Sequence, residues 1–140
     1  MSVSGFKLFT DGASRGNPGI SGAGIVLMND NGETICCLKK YLGIGTNNEA
    51  EYKALNLGLE EALKRKCRNL KIYMDSELIV RQLSGIYKIK NARLSELSGE
   101  TRRLLSFLDN YTITHVPRNE NKIADRLANE AIDKHLSSRN

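Results

Sequence analysis

The sequence predicts an α/β fold: a mixed five-stranded sheet, with three antiparallel strands followed by two parallel strands, flanked by helices. Two observations support this prediction. The first third of the chain contains segments that alternate or are rich in β-branched residues, separated by a turn signal. The remainder alternates between segments with helical periodicity and short apolar strands, and a strand that follows an intervening helix pairs parallel with its predecessor.

The N-terminal part accounts for the antiparallel strands. Residues Phe6 to Asp11 alternate between apolar and polar side chains, and Gly22 to Asn29 is rich in β-branched and apolar residues. Asp30-Asn31-Gly32 is a turn signal, after which Glu33 to Leu42 returns as a third strand. These segments predict an antiparallel meander.

Helices and parallel strands then follow in order. A helix is predicted from Asn47-Asn48, which are good capping residues, to about Lys66, with Leu55, Leu59, Ala62 and Leu63 on one stripe. The remaining predicted elements are a strand at Leu70 to Asp75, a helix from Ser76 to about Leu83 that is broken at Gly85, a helix within Leu94 to Leu108, a strand at Tyr111 to Val116 and a helix at Lys122 to Leu136. The last helix is expected to turn Ile123, Leu127, Ala131 and Ile132 inward.

Length and composition indicate the class of protein. The 140 residues suit a single domain spanning residues 1–140, with an ordered core at about 6–134. No apolar run approaches the ~20 residues of a membrane span, and the N-terminus has no export signal, so we expect a cytoplasmic protein without a membrane partner. Cys36, Cys37 and Cys67 fit neither a disulfide framework nor a CxxC zinc site and are predicted to be core thiols.

The basic charge is concentrated in the middle of the chain. The net charge is +5. The segment from Lys64 to Arg103 holds 11 Lys or Arg residues against the 4 acidic residues Asp75, Glu77, Glu96 and Glu100. Such a segment favours a polyanionic partner, because neutralising phosphates releases condensed counterions. The alternative is a solvated basic face without a partner.

Four carboxylates fall at unusual positions. Asp11 ends the first predicted strand and Asp75 ends the fourth, and neighbouring parallel strands end at the same edge of a sheet. Glu51 lies in the first turn of the long helix, on the stripe that faces the sheet, and Asp125 lies in the first turn of the last helix. Glu51 and Asp125 could instead simply complement the dipoles of their helices.

Carboxylates gathered at one edge would need a cation. Two like charges 4 Å apart repel by roughly 4 kcal/mol at an effective dielectric of 20. A donor set of carboxylate oxygens, without Cys or clustered His, selects Mg²⁺ or Mn²⁺ over zinc. A pair of such ions could activate a water and stabilise the leaving oxygen during displacement at phosphorus.

Four strings carry a resemblance to a known family. They are TDGASRGNPG at residues 10–19, followed by GAG at 22–24, then TNNEAE at 46–51, DS at 75–76 and HVPRNENKIAD at 115–125. In this order they resemble the motifs of the type 1 ribonuclease H family, over residues 6 to about 132. The chain resembles a short form of that family, because the interval between the third and fourth strings lacks the tryptophan-bearing basic protrusion of some members.

The resemblance implies a fold, a reaction and a catalytic site. It implies a ribonuclease H-like fold and an endonuclease that hydrolyses the RNA strand of RNA·DNA hybrids, leaving a 3′-hydroxyl and a 5′-phosphate. Asp11, Glu51, Asp75 and Asp125 match the catalytic carboxylates that bind two Mg²⁺ ions, with Mn²⁺ as a possible substitute. The auxiliary catalytic residue is either His115, whose place at a strand end also suits a structural role, or Arg118, which can hold a phosphate on a moving loop.

The resemblance also implies substrate contacts. Ser14, Asn17, Asn47 and Asn48 match positions that contact the minor groove, although the last two could serve only as helix caps. Thr46 and Asn91 match positions that bind a phosphate of the DNA strand. Lys88 and Lys90 are our candidates for the remaining basic surface. A monomer is expected, and the alternatives are another nuclease or strand-transferase on the same scaffold, or a hybrid-binding module without catalysis.

Overall fold

The computed structural model describes residues 5–138, so the ends of the predicted domain, residues 1–4 and 139–140, lie outside the described part. Five strands and four helices follow one another in the predicted order. Their bounds are β1 Gly5–Gly16, β2 Gly19–Asn29, β3 Thr34–Gly45, α1 Asn47–Lys64, β4 Asn69–Met74, α2 Glu77–Leu83, α3 Ala92–Leu105, β5 Asn110–His115 and α4 Lys122–Ser137, with a 3₁₀ turn at Arg118–Glu120.

The sheet has the predicted mixed topology. Its strand order is β3-β2-β1-β4-β5. The pairs β1–β2 and β2–β3 are antiparallel, whereas β1–β4 and β4–β5 are parallel. Thr10 of β1 pairs with Met74 of β4, so Asp11, which stays paired with Gly24 in the sheet, lies beside Asp75, which directly follows β4.

The hairpin between β1 and β2 is longer than predicted. Both strands continue beyond Asp11 and before Gly22, and they pair as far as Gly16 and Gly19. Gly16 has φ of 116°, a conformation that glycine adopts without strain, and it turns the chain at the cis Asn17–Pro18 bond. The sequence did not predict this extension because it is rich in glycine and small residues, and Ile20 is its single β-branched residue.

Helices cover the two faces of the sheet unequally. Helix α1 packs on β1 and β2 and is itself covered by α3. Together they bury the main core, which includes Leu8, Leu55 and Ile72. Helix α4 packs on the other face, mainly against β2. It approaches closely because Gly22 and Gly24 have no side chains between the strand and the backbone of α4.

Two predictions about the core are wrong. Ile123 is 42% exposed, because the neighbouring Ala124 takes the inward position over Gly24 and turns Ile123 away from β2. Cys37 is exposed, whereas Cys67 is buried and Cys36 is half-buried. Cys37 lies on the edge strand β3, on the opposite face from Cys36, where little of the core reaches it.

Among residues 5–138, no helix is both long and apolar enough to cross a membrane.

Candidate active site

Three carboxylates meet at the edge of the sheet where β1 passes the end of β4. One oxygen each from Asp11, Glu51 and Asp75 lies within 4.8 Å of the others. Asp11 is 5% exposed and Glu51 is 8% exposed, so two of the three are largely removed from water. The structure thus brings together residues from three separate stretches of the chain.

Glu51 reaches this edge because α1 begins directly against β1. The helix is capped by Thr46 and Glu49, whose side chains each bond the other's backbone N–H. The bare Cα of Gly12 packs against the backbone at Ala50 and Glu51. The Gly12 N–H then donates to Oε1 of Glu51 at 2.8 Å. Gly12 therefore sets the distance between Asp11 and Glu51.

Asn121 links the elements that carry the other carboxylates. It is 2% exposed, and its Nδ2 donates to the backbone oxygen of Thr10 at 2.9 Å and to Oδ2 of Asp75 at 3.4 Å. Its backbone oxygen accepts from the N–H of Asp125 at 3.1 Å. Sequence reasoning assigned no role to Asn121. The available signal was a polar residue with good capping propensity directly before the last predicted helix.

Asp125 lines the same cleft as the three clustered acids, and its side chain is close enough to Asp11 to raise the pKa of that residue. The cleft has a volume of about 410 Å³ and also includes Arg118. Nη2 of Arg118 lies 3.6 Å from Oδ1 of Asp125. Nδ2 of Asn129 donates to the backbone oxygen of Asp125 at 3.0 Å and to its Oδ1 at 3.4 Å. Arg15 donates to Oδ1 of Asn129 at 3.3 Å, which orients that amide toward Asp125.

Burial and mutual repulsion favour the protonated forms of the clustered acids. Desolvation raises the pKa of Asp11 far above its ordinary value, and the charges of Glu51 and Asp75 raise it further. Burial also raises the pKa of Glu51, although the Gly12 N–H opposes the shift. Desolvation raises the pKa of Asp75, against the hydrogen bond from Asn121 and the charge of Arg118. Bringing these groups together unprotonated therefore costs free energy.

This site fits a divalent cation. Its donors are carboxylate oxygens, which suit hard cations. Among residues 5–138, the ion pairs leave Asp11, Glu51 and Asp75 without a Lys or Arg partner within 4.0 Å. A cation between the three carboxylates would supply the positive charge that the neighbouring side chains do not.

The two candidates for an auxiliary residue occupy different positions. Arg118 is in the 3₁₀ turn and lines the carboxylate cleft, and its side chain is 81% exposed. His115 is the last residue of β5 and is exposed; it is close enough for its charge to lower the pKa of Asp75. Arg118 is thus the candidate that faces both the cleft and solvent.

A second cleft, of about 220 Å³, lies beside the first one. It is lined by four of the predicted substrate residues, namely Asn17, Thr46, Asn48 and Asn91, together with Glu49, Arg93 and Leu94. Thr46 caps α1 and Asn91 caps α3, so two helix N-termini meet here. Oδ1 of Asn17 accepts from the N–H of Asn47 at 3.1 Å, which ties the β1–β2 hairpin to α1.

The remaining predicted substrate residues are divided between two places. Ser14 and Asn47 line the carboxylate cleft. The backbone oxygens of Gly16 at 2.6 Å and Gly45 at 2.8 Å are both within reach of the single hydroxyl proton of Ser14, which is therefore used within the fold. Lys88 and Lys90 are exposed in the segment between α2 and α3 and line neither cleft.

Comparisons with known proteins show which sequences this chain resembles. Residues 9–131 match the family model described as "Reverse transcriptase-like". Ribonuclease HI of Halobacterium salinarum is 41% identical over 125 residues, which are 89% of this chain and 63% of that protein. A bifunctional protein of Mycobacterium tuberculosis is 41% identical over 124 residues, which are 88% of this chain and 34% of that protein.

A solved structure extends the likeness to three dimensions. The RNase H1 named LC11, in complex with an RNA/DNA hybrid, is 40% identical, with a TM-score of 0.88 over 94% of this chain and 99% of that chain. The chain spans less than two thirds of the length of the first two curated relatives. The family model matches residues 9–131, and the fold agrees with that of the solved relative. The chain therefore belongs to the type 1 ribonuclease H family.

Proposed function

We propose that this chain hydrolyses the RNA strand of RNA·DNA hybrids and leaves 3′-hydroxyl and 5′-phosphate ends. The observation that carries the proposal is the cluster of Asp11, Glu51 and Asp75, whose oxygens lie within 4.8 Å of one another at the sheet edge of a ribonuclease H family member. The hybrid in the complex of the LC11 relative supports the choice of substrate.

The roles of the side chains follow from their chemistry. Asp11, Glu51, Asp75 and Asp125 would hold two Mg²⁺ ions, with Mn²⁺ as a substitute, because their oxygens are hard donors. Bound ions of this kind activate a water and stabilise a leaving oxygen at phosphorus. Arg118 would hold a phosphate oxygen of the RNA strand, since its guanidinium is exposed and lines the cleft. Asn121 would keep Asp75 oriented toward Asp11.

Recognition of the hybrid is assigned to the second cleft and its surroundings. The N-termini of α1 and α3 favour an anion there, so a phosphate of the DNA strand would bind near Thr46 and Asn91. Ser14, Asn17, Asn47 and Asn48 would contact sugars and bases in the minor groove, where 2′-hydroxyls distinguish RNA from DNA. The carboxylate cleft would then contact the RNA strand of a hybrid while the second cleft contacts its DNA strand.

Three further properties belong to the proposal. We expect one catalytic domain and a monomer, because a single hydrophobic core and both clefts are formed within residues 5–138 of one chain. A cytoplasmic site of action is supported by three free cysteines, one of them exposed, which suit a reducing compartment. Sedimentation at several protein concentrations tests whether the chain is a monomer.

The proposal is tested by mapping products from three duplexes. End-labelled RNA·DNA hybrid, DNA duplex and RNA duplex of one sequence are incubated separately with Mg²⁺, Mn²⁺ or a chelator. We expect cleavage of the hybrid in its RNA strand alone, with 3′-hydroxyl ends, and no cleavage in chelator. Preferred cleavage of DNA would instead identify another nuclease on this scaffold, and hybrid binding without any cleavage would identify a binding module.

Lys88→Ala together with Lys90→Ala is expected to weaken binding of the hybrid and to flatten its salt dependence. Each lysine that neutralises a phosphate contributes about 0.9 to the slope of log K against log salt, so the slope should fall by roughly 1.8. Titrations of labelled hybrid in chelator at several salt concentrations measure this slope. Lys64→Ala, at the opposite end of α1 from the second cleft, is the control. An unchanged slope in the double variant would exclude this segment as a phosphate-binding surface.

A further inference from the structure

The face of the sheet opposite α1 is only partly covered by α4. Helix α4 lies on β2 and extends to β1 and β3. Farther along the same face, Lys71 of β4 and Thr112 and Thr114 of β5 are exposed, and Phe9 and Tyr73 are half-buried. The strands β1, β4 and β5 therefore present an open surface, which we call the open face.

Strand register arranges the open face in rows. In the first row, Lys7 pairs with Lys71, and Lys71 pairs with Thr112. In the next row, Phe9 pairs with Tyr73, and Tyr73 pairs with Thr114. The third row continues with Asp11 and Asp75, two residues farther along each strand. The lysine row thus lies about 13 Å along the strands from the carboxylates, with an aromatic row between them.

The two lysines of the first row are unusual neighbours. Like charges directly opposite each other on adjacent strands destabilise a sheet. Among residues 5–138, neither Lys7 nor Lys71 forms an ion pair with an acidic side chain. Apart from Asp11 and Asp75 of the third row, the acids that line the clefts at the margin of the open face within the described residues are Asp30, which shares a cleft with Lys7, and Glu120, which shares one with Phe9. An external anion would relieve the repulsion between the lysines.

The aromatic row suits unpaired bases. The rings of Phe9 and Tyr73 stack on each other, with centroids 4.8 Å apart and planes inclined by 18°. Phe9 also borders a mainly apolar cleft of about 240 Å³, whose other walls include Val26, Met28 and Ile123. A base entering this cleft would meet an aromatic side chain that is already held in a stack. Ile123, which sequence reasoning placed in the core, is exposed here.

A second opening lies beside the lysine row. It has a volume of about 420 Å³ and is bordered by Lys7, Lys71 and Thr112. Cations and hydroxyls at this spacing suit a sugar-phosphate backbone, and the neighbouring aromatic cleft suits a base. Stacking on aromatic side chains requires base faces that a duplex hides, so the matching polyanion is single-stranded.

We propose that the open face binds a single strand of nucleic acid, with phosphates at Lys7 and Lys71 and a base beside Phe9 and Tyr73. This goes beyond hydrolysis of the hybrid, because the surface lies outside both clefts assigned to the hybrid and needs no metal. Single-stranded RNA and DNA share the recognised chemistry, and the experiment separates them.

The test measures binding of labelled single-stranded RNA and DNA, about 12 nucleotides each, in chelator across a range of salt concentrations. Lys7→Ala with Lys71→Ala is expected to weaken binding roughly tenfold and to reduce the salt slope by about 1.4, the value for two phosphates of a single strand. Tyr73→Leu, which keeps an apolar side chain, is expected to weaken binding roughly tenfold without changing the slope.

The matched control is Lys40→Ala with Lys64→Ala, which removes two exposed lysines from elsewhere on the surface. It should bind single strands like the unmodified protein, and all variants should cleave blunt hybrid normally, which verifies their folding. The proposal is overturned if the unmodified protein does not bind single strands, if the control pair weakens binding as much as the Lys7 and Lys71 pair, or if sedimentation shows a second copy of the chain on this face.

Discussion

Replacing Asp11 with asparagine is expected to abolish cleavage of the hybrid while making the metal-free protein more stable. The amide keeps one neutral oxygen but lacks the negative charge that a carboxylate offers a divalent cation, so the rate should fall by roughly a thousandfold or more. The same change removes a carboxyl group whose ionisation is opposed by burial and by Glu51 and Asp75, so the free energy of unfolding in chelator should rise by about 1–3 kcal/mol. Single-turnover cleavage and urea unfolding measure the two effects.

The expected loss of activity together with a gain in stability makes this prediction specific. A residue that only supports the fold would lose activity and stability together. Asp109→Asn is the control, because Asp109 is exposed and paired with Arg68 at 3.1 Å, away from the carboxylate cleft. Its stability should change by less than about 1 kcal/mol, with normal cleavage. A cleavage rate of Asp11→Asn that stays within about tenfold of the unmodified protein's rate, or lower metal-free stability in that variant, would contradict the account of the site.

Gly12→Ala is expected to reduce both activity and stability strongly. A Cβ at this position would overlap the backbone at Ala50 and Glu51, so α1 must move away from β1. Overpacking against backbone should cost about 2–3 kcal/mol of unfolding free energy. Because Glu51 moves with the helix, cleavage should fall roughly a hundredfold, which is typical of a displacement of about 1 Å at a reacting centre.

Gly99→Ala separates this effect from the general preference of helices for alanine. Gly99 lies in α3, and a Cβ there would meet no heavy atom within 4 Å among residues 5–138. This variant should gain about 0.5–1 kcal/mol of stability and cleave normally. If Gly12→Ala retains both full activity and stability, Gly12 does not set the position of Glu51.

The fold and the meeting of three carboxylates could be predicted because each depends on local patterns. Alternation and helical periodicity located the five strands and four helices but not the 3₁₀ turn, and the parallel pairing of β1 with β4 followed from the intervening helix. That pairing places Asp11 beside Asp75. The place of Glu51 in the cluster could be predicted from its position on the sheet-facing stripe of α1. The hydrogen bond that holds its side chain comes from the backbone of Gly12 and leaves no pattern in the sequence.

What could not be predicted depends on contacts distant in the chain. Asn121 bonds Thr10, 111 residues away, through a backbone oxygen that any residue would supply. Arg15 orients the amide of Asn129 across 114 residues. The inward face of α4 is set by the glycines of β2. Helical periodicity alone therefore placed Ile123 inward, whereas the neighbouring Ala124 occupies that position in the structure. The rows of the open face likewise appear only when three strands are in register.

Unfolding free energy measured against pH, in chelator and in millimolar Mg²⁺, tests the central claim that a divalent cation offsets the repulsion within the acidic cluster. Burial raises the folded-state pKa values of Asp11, Glu51 and Asp75 above their unfolded values. In chelator, the folded state therefore holds more protons, and stability should fall from about pH 5 to about pH 8. Mg²⁺ binds the deprotonated carboxylates, so stability should fall less or rise over this range. Identical curves in chelator and Mg²⁺, or metal-free stability that rises with pH, would contradict the claim.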